Sequence, residues 1–142
     1  PPSPRAVALV LGDDDAFEVS LPTAFPFFGQ ARRKAYIGSN GYISFDFKDT
    51  IRKEGLEQHY DNLRISALLT DIEYEIGDRN ILYEVIDDGK ESRAVVTYNN
   101  VSEFAHPNSE SSFQAAMFFA DGRVRLSWLS VKAYSAVVGL SP

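Results

Sequence analysis

The chain contains no cysteine among its 142 residues, which removes disulfide frameworks, thiolate metal centres and cysteine nucleophiles together. It also has no run of about 18 apolar residues, so no membrane-crossing helix is expected, and no secretory signal pattern lies within it. Histidine is scarce, with only His59 and His106 present. Positive charge is outnumbered: 14 Lys and Arg stand against 20 Asp and Glu, for a net charge of −6. Nucleic acid and anionic membrane surfaces both require clustered cations, so neither is an expected partner. The one basic cluster, Arg32-Arg33-Lys34, reads as a solvated turn between strands. What the chain does have is aromatic and apolar residues, 13% and 44%. That is enough for one globular domain with a core that needs no covalent staples.

The stretch from Leu21 to Gln30 holds Pro22 and Pro26 among Phe25, Phe27 and Phe28. The prolines forbid a helix and the aromatics demand burial. Next come two runs of alternating β-formers around Ser39-Asn40-Gly41, a tight hairpin signal that pairs Tyr36–Ile37 with Ile43–Ser44. Val7 to Leu11 reads as a short strand, and Phe17, Val19 and Leu21 share one face of the next. Lys48 to Leu63 has no clean period and is the place for a short helix or a long loop, with less than about a tenth of the chain helical. Ile65 to Ile76 reads as a strand. Asn80–Ile86 and Ser92–Val101 flank the turn at Asp87-Asp88-Gly89-Lys90. Ser112–Ala120 and Arg123–Val131 are joined by Asp121-Gly122, read as a two-residue type I′ turn that sets Met117–Phe119 against Val124–Leu126. Val137 to Leu140 is the last strand. The whole describes an all-β, antiparallel β-sandwich of about 8–10 strands, with Phe25, Phe27, Tyr42, Phe45, Phe113 and Trp128 in its core. Residues 1–5 read as the end of a proline-rich linker and 6–142 as a single domain.

Candidate chemistry is sparse. Neither histidine stands beside a nucleophile elbow or an oxyanion-hole glycine cluster, so a Ser-His-Asp hydrolase is not expected. Asp71, Glu73 and Glu75 alternate onto one strand face, a pattern that serves either a glycosidase carboxylate pair or an ordinary wet face. Asp13, Asp14 and Asp15 offer adjacent oxygen ligands for Ca²⁺, without EF-hand spacing; a solvated structural turn explains them equally well. No other cofactor is expected. Asn100-Val101-Ser102 is an N-glycosylation triplet. Tyr36, Phe47, Tyr98, Trp128 and Tyr134 supply either a sugar-stacking platform, if exposed on one side, or core.

Several of these segments together resemble the NIDO-like extracellular modules of nidogen-type and plexin-domain-containing proteins and of bacterial surface proteins. The matching pieces are the Pro-aromatic run into Ser39-Asn40-Gly41-Tyr42, then Leu68-Leu69-Thr70-Asp71-Ile72, Ile81-Leu82-Tyr83-Glu84 and Ala94 to Val101. Phe113 to Val124 and Ala136 to Leu140 complete the series. The resemblance covers Phe17 to the last residues and places an Asp at position 71. It implies a non-catalytic module at the cell surface or outside the cell, acting in adhesion or in matrix or cell-wall assembly, with other surface or matrix proteins or glycans as partners. A Pro-rich algal or microbial surface protein is the implied source, because the cysteines that often flank the animal modules are absent. The competing expectations are a carbohydrate-binding module of a secreted protein and a small hydrolase.

Overall fold

Alternation of buried and exposed positions carries through to the computed structural model, which describes residues 1–50, 55–73 and 80–142. The described elements, in chain order, are β1 (Val7–Ala8), β2 (Ala16–Phe27), β3 (Gln30–Gly38), β4 (Tyr42–Ser44), α1 (Leu56–Tyr60), β5 (Arg64–Leu69), β6 (Ile72–Glu73), β7 (Asn80–Asp87), β8 (Ser92–Glu103), β9 (His106–Phe118), β10 (Val124–Ser130) and β11 (Val137–Ser141). They form two antiparallel sheets packed as a sandwich. One runs β1-β7-β8-β9-β10, with β6 also on β8, and the other β11-β5-β4-β3-β2. The described strands number eleven; the excess over the expected eight to ten comes from β6, because the single strand expected over Ile65–Ile76 divides into β5 and β6, whereas β1 falls within the expected Val7–Leu11 strand. The one described helix falls inside the expected 48–63 window.

The core sits between the inward faces. Ala94, Val96 and Tyr98 of β8 and Phe113, Ala115 and Met117 of β9 meet Phe25, Phe27, Ile37, Ile43 and Ile65 of the other sheet. Phe27 stacks within 4.8 Å of Phe45 and 5.6 Å of Phe25, and Tyr98 lies 4.6 Å from Phe113. Each such ring removed from water contributes about 1.5–3 kcal/mol. Phe25, Phe27, Tyr42, Phe45 and Phe113 are buried as expected. Trp128 is not: it is 45% exposed. The reason is its strand. β10 is an edge with a neighbour on one side only, so nothing covers the far side of the indole, whose N–H is satisfied by the Ala67 carbonyl at 3.0 Å. Phe17 is exposed for the same reason, lying on edge strand β2.

The turns divide into those read correctly and those misplaced. Tyr36 pairs with Ser44 and Ile37 with Ile43, as the Asn40-Gly41 hairpin requires. Gly41 has φ of 79°, and a Cβ there would stand 2.1 Å from the Leu68 carbonyl oxygen; position 41 therefore demands glycine twice over. Asp87 pairs with Ser92 around the 88–91 turn. In the last hairpin a two-residue loop would set Phe119 against Val124 and Met117 against Leu126, but the register is shifted by two residues: Val124 pairs with Met117 and Leu126 with Ala115. The loop is longer than two residues, closed by Gly122 N–H to Phe118 O and Phe118 N–H to Arg123 O. Of Asp121 and Gly122 only the glycine has positive φ, which rules out type I′.

Arg32-Arg33-Lys34 is not a turn; it lies within β3, where Lys34 pairs with Glu18 at 2.7 Å and Arg32 with Asp46 at 2.6 Å. The turn between β2 and β3 is instead Phe28-Gly29, where both φ angles are positive and Phe27 pairs with Gln30. The Ile65–Ile76 strand is also corrected. It breaks after Leu69, and the chain crosses at Thr70-Asp71 from one sheet to the other, β5 lying between β11 and β4 and β6 pairing with β8. Tyr74, Glu75 and Ile76 lie outside the described residues.

Candidate functional site

Asp13, Asp14 and Asp15 do not act together. Asp15 turns back to its own loop: its carboxylate accepts from Gly12 N–H at 3.1 Å and Ala16 N–H at 2.8 Å and pairs with Lys48 at 2.6 Å. Lys48, then the Gly12 N–H, hold its pKa below the ordinary carboxylate value. Asp71 takes its place, bringing carboxylate oxygens of Asp13, Asp14 and Asp71 within 4.8 Å of one another. Among the described residues these three are the ones able to hold a cation. They supply three carboxylates where Ca²⁺ takes six to eight oxygens. Beside them, the Asn40 side-chain amide donates to Asp14 at 2.8 Å, while its carbonyl oxygen accepts from Ile72 N–H at 3.0 Å. Asp14 adopts φ of 47°. The Asp13–Asp71 proximity depends on the sheet crossing, which spacing in the sequence could not reveal. Glu73 is half-buried at the far side of that crossing, and Glu75 lies outside the described residues.

The histidines occupy unlike settings. His59 is 3% exposed, and its Nδ1 lies 2.8 Å from the Ser66 hydroxyl, itself sealed from solvent. Burial, and then the nearby Arg64 charge, push the imidazole pKa down. Asp49 is paired with Arg64 rather than with the imidazole. The Arg64 guanidinium also stacks 4.8 Å from the Tyr42 ring, whose hydroxyl donates to the Asp49 carbonyl. This cluster carries a nucleophile type, a base type and a carboxylate, yet it is assembled as internal packing. His106 is exposed at the tip of the β8–β9 hairpin, its ring 4.5 Å from that of Tyr134.

Of the five aromatics set out as a platform, Tyr98 is buried and Tyr36 half-buried, which leaves Phe47, Trp128 and Tyr134 exposed. A different aromatic group emerges at one end of the molecule. Phe104, His106, Val131 and Tyr134 are exposed there. Buried Glu103 anchors the Tyr134 backbone, accepting from Tyr134 N–H at 2.6 Å, Thr70 Oγ1 at 2.7 Å and Ser135 N–H at 3.2 Å. Desolvation raises the pKa of this carboxyl, but the three hydrogen bonds outweigh it and the net shift is downward. Asn100 stands exposed at a bulge in β8 with φ of 53°, its side-chain oxygen accepting from Ser112 Oγ at 3.1 Å.

The outward face of the β8–β9–β10 sheet carries a cleft of about 400 Å³ bounded by Pro1, Pro2, Thr97, Gln114, Ser127 and Leu129, among others. Thr97 pairs with Gln114 and Gln114 with Ser127, so these three side chains form one row across the sheet. Beyond it, Phe118 is buried beneath the guanidinium groups of Arg93, Arg123 and Arg125, at 5.9, 4.2 and 5.5 Å. Among the described residues no helix is long and apolar enough to cross a membrane.

Comparison with known proteins gives one match, to the family model described as NIDO related, over residues 3–141. No curated protein and no solved structure matches.

Proposed function

From the fact that this chain belongs to the NIDO-related family, whose domains are typically extracellular and generally non-enzymatic, we propose that it is a non-catalytic interaction module working in adhesion or in surface, matrix or cell-wall assembly. The observation that carries this reading is the exposed aromatic group at the β8–β9 tip, with Tyr134 anchored at its centre. Tyr134 is 77% exposed, yet its backbone is tied to Glu103 and its ring to His106. Aromatic rings that are held in place while still wet are the anchors protein interfaces use, because little side-chain freedom remains to be lost on binding. Partners are other surface or matrix components, and Asn100 is an accessible acceptor for a glycan where the chain passes through a glycosylating secretory route.

The experiment is retention of the purified, fluorescently labelled chain on an isolated cell-surface or extracellular-matrix fraction, comparing wild type with Tyr134→Ser plus Val131→Ser. Both positions are exposed, so the fold should survive. Retention falling severalfold supports the reading, and equal retention of an equally folded variant refutes it.

A further inference from the structure

The outward cleft identifies a partner class, and this inference rests on the assembly reading above. Its rim is built by Pro1 and Pro2. A proline fixes its own φ near −65° and pushes the residue before it into extended backbone, so covalent geometry gives Pro2 a φ compatible with polyproline II and holds Pro1 extended. This arm is held in place downstream. Ser3 donates its backbone N–H, at 3.1 Å, and its hydroxyl to the buried Glu84 carboxylate, and Ala6 N–H closes a turn on Ser3 O at 3.0 Å. Leu129, 90% exposed, stands on the β10 side of the same cleft. On the floor one Gln114 amide hydrogen is committed to Thr97 Oγ1 at 2.8 Å, leaving the second amide hydrogen and the exposed Ser127 hydroxyl as donors. Among the described residues no charged side chain lines the cleft, and the formal charge at its rim is the Pro1 amino group.

These features suit one kind of ligand. A polyproline II strand makes no internal hydrogen bonds, so its carbonyls need donors, its rings need apolar walls and its backbone is neutral. We propose that the cleft between the arm of Pro1-Pro2 and Leu129 is a docking groove for a neutral, proline-rich peptide in the polyproline II conformation. Pro1-Pro2 is the segment of that chemistry already seated on its rim.

The test uses the full chain, isotopically labelled, titrated with a synthetic peptide of repeated Pro-Pro-Ser-Pro, with a length-matched Gly-Ser peptide and a neutral disaccharide as comparisons. The expected result is a saturable response to the proline peptide alone, with amide shifts centred on Gln114, Ser127 and Leu129. Ser127→Tyr, which fills the cleft from an exposed position, should weaken binding by at least about tenfold while the remaining amide spectrum stays native. A saturable response to the disaccharide in place of the peptide, an equal response to the Gly-Ser peptide, or no response overturns the proposal. Because Ser127 lies outside the Tyr134 surface, failure here with retention on the surface fraction intact leaves the assembly reading standing.

Discussion

The Tyr98 hydroxyl reaches from one sheet to the other and donates to the Gly38 carbonyl at 2.8 Å, with the Tyr42 carbonyl at 3.0 Å sharing the same hydrogen. Its ring is fully buried, and desolvation raises its pKa far above the ordinary phenol value. A buried side chain from β8 thus fixes both ends of the Ser39-Asn40-Gly41 turn. Tyr98→Phe keeps the ring and removes the donor, and should cost about 1–3 kcal/mol in denaturant unfolding. A loss indistinguishable from zero would show that the hydroxyl does not tie the sheets.

The buried ion pair gives a larger effect. Arg64 and Asp49 are both nearly inaccessible, so Asp49→Ala strands a guanidinium in the interior and should cost about 3–5 kcal/mol. Chemical denaturation measures it directly.

Core and edge aromatics should separate. Phe25 is 0% exposed and Trp128 45%. Phe25→Ala should cost about 3–5 kcal/mol, and Trp128→Ala distinctly less, since much of the indole is already hydrated. Equal losses would contradict the edge placement of Trp128.

His59 makes stability fall with acid in a defined window. Its pKa is depressed in the folded state, first by burial and then by Arg64, from an ordinary value of 6.5. Below about pH 6.5 the unfolded chain takes up a proton that the folded chain resists. The stabilisation is therefore complete above that pH and is lost as pH falls toward the depressed folded value. The lowered carboxyls of Asp15 and Glu103 act later, below their ordinary values of 3.8 and 4.5. Melting temperature should decline between pH 7 and pH 5 in the wild type, and the decline should flatten in His59→Gln.

The acidic group should behave as a charged turn. Three carboxylates crowd within 4.8 Å, so Asp13→Asn should leave the melting temperature unchanged or raise it, and millimolar Ca²⁺ should not shift it. A calcium-dependent rise abolished by Asp71→Asn would instead establish a cation site.

How legible was all this in the residues? Strand alternation and Asn40-Gly41 are local signals, and both were readable. Phe28-Gly29 was missed because an aromatic in left-handed backbone is uncommon, while Arg32-Arg33-Lys34 looked more like a turn. Trp128 was misjudged because edge position is a property of the sheet, not of the strand. The same holds for Asp71, which reaches Asp13 only because the chain changes sheets between Leu69 and Ile72. Alternation cannot show such a crossing, since both strands have the same period.

The terminal strands carry a final consequence. β2 to β5 lie in one sheet and β7 to β10 in the other, yet β1 adds to the later group and β11 to the earlier one. Each half is completed by a strand from the far end of the chain. Neighbouring hairpins close short loops and should form early, whereas Val7 against Tyr83 and Leu140 against Ile65 must wait for long-range closure. The last step of folding is then a mutual clasp, and its backbone amides should be the first to exchange with solvent when the native molecule loosens.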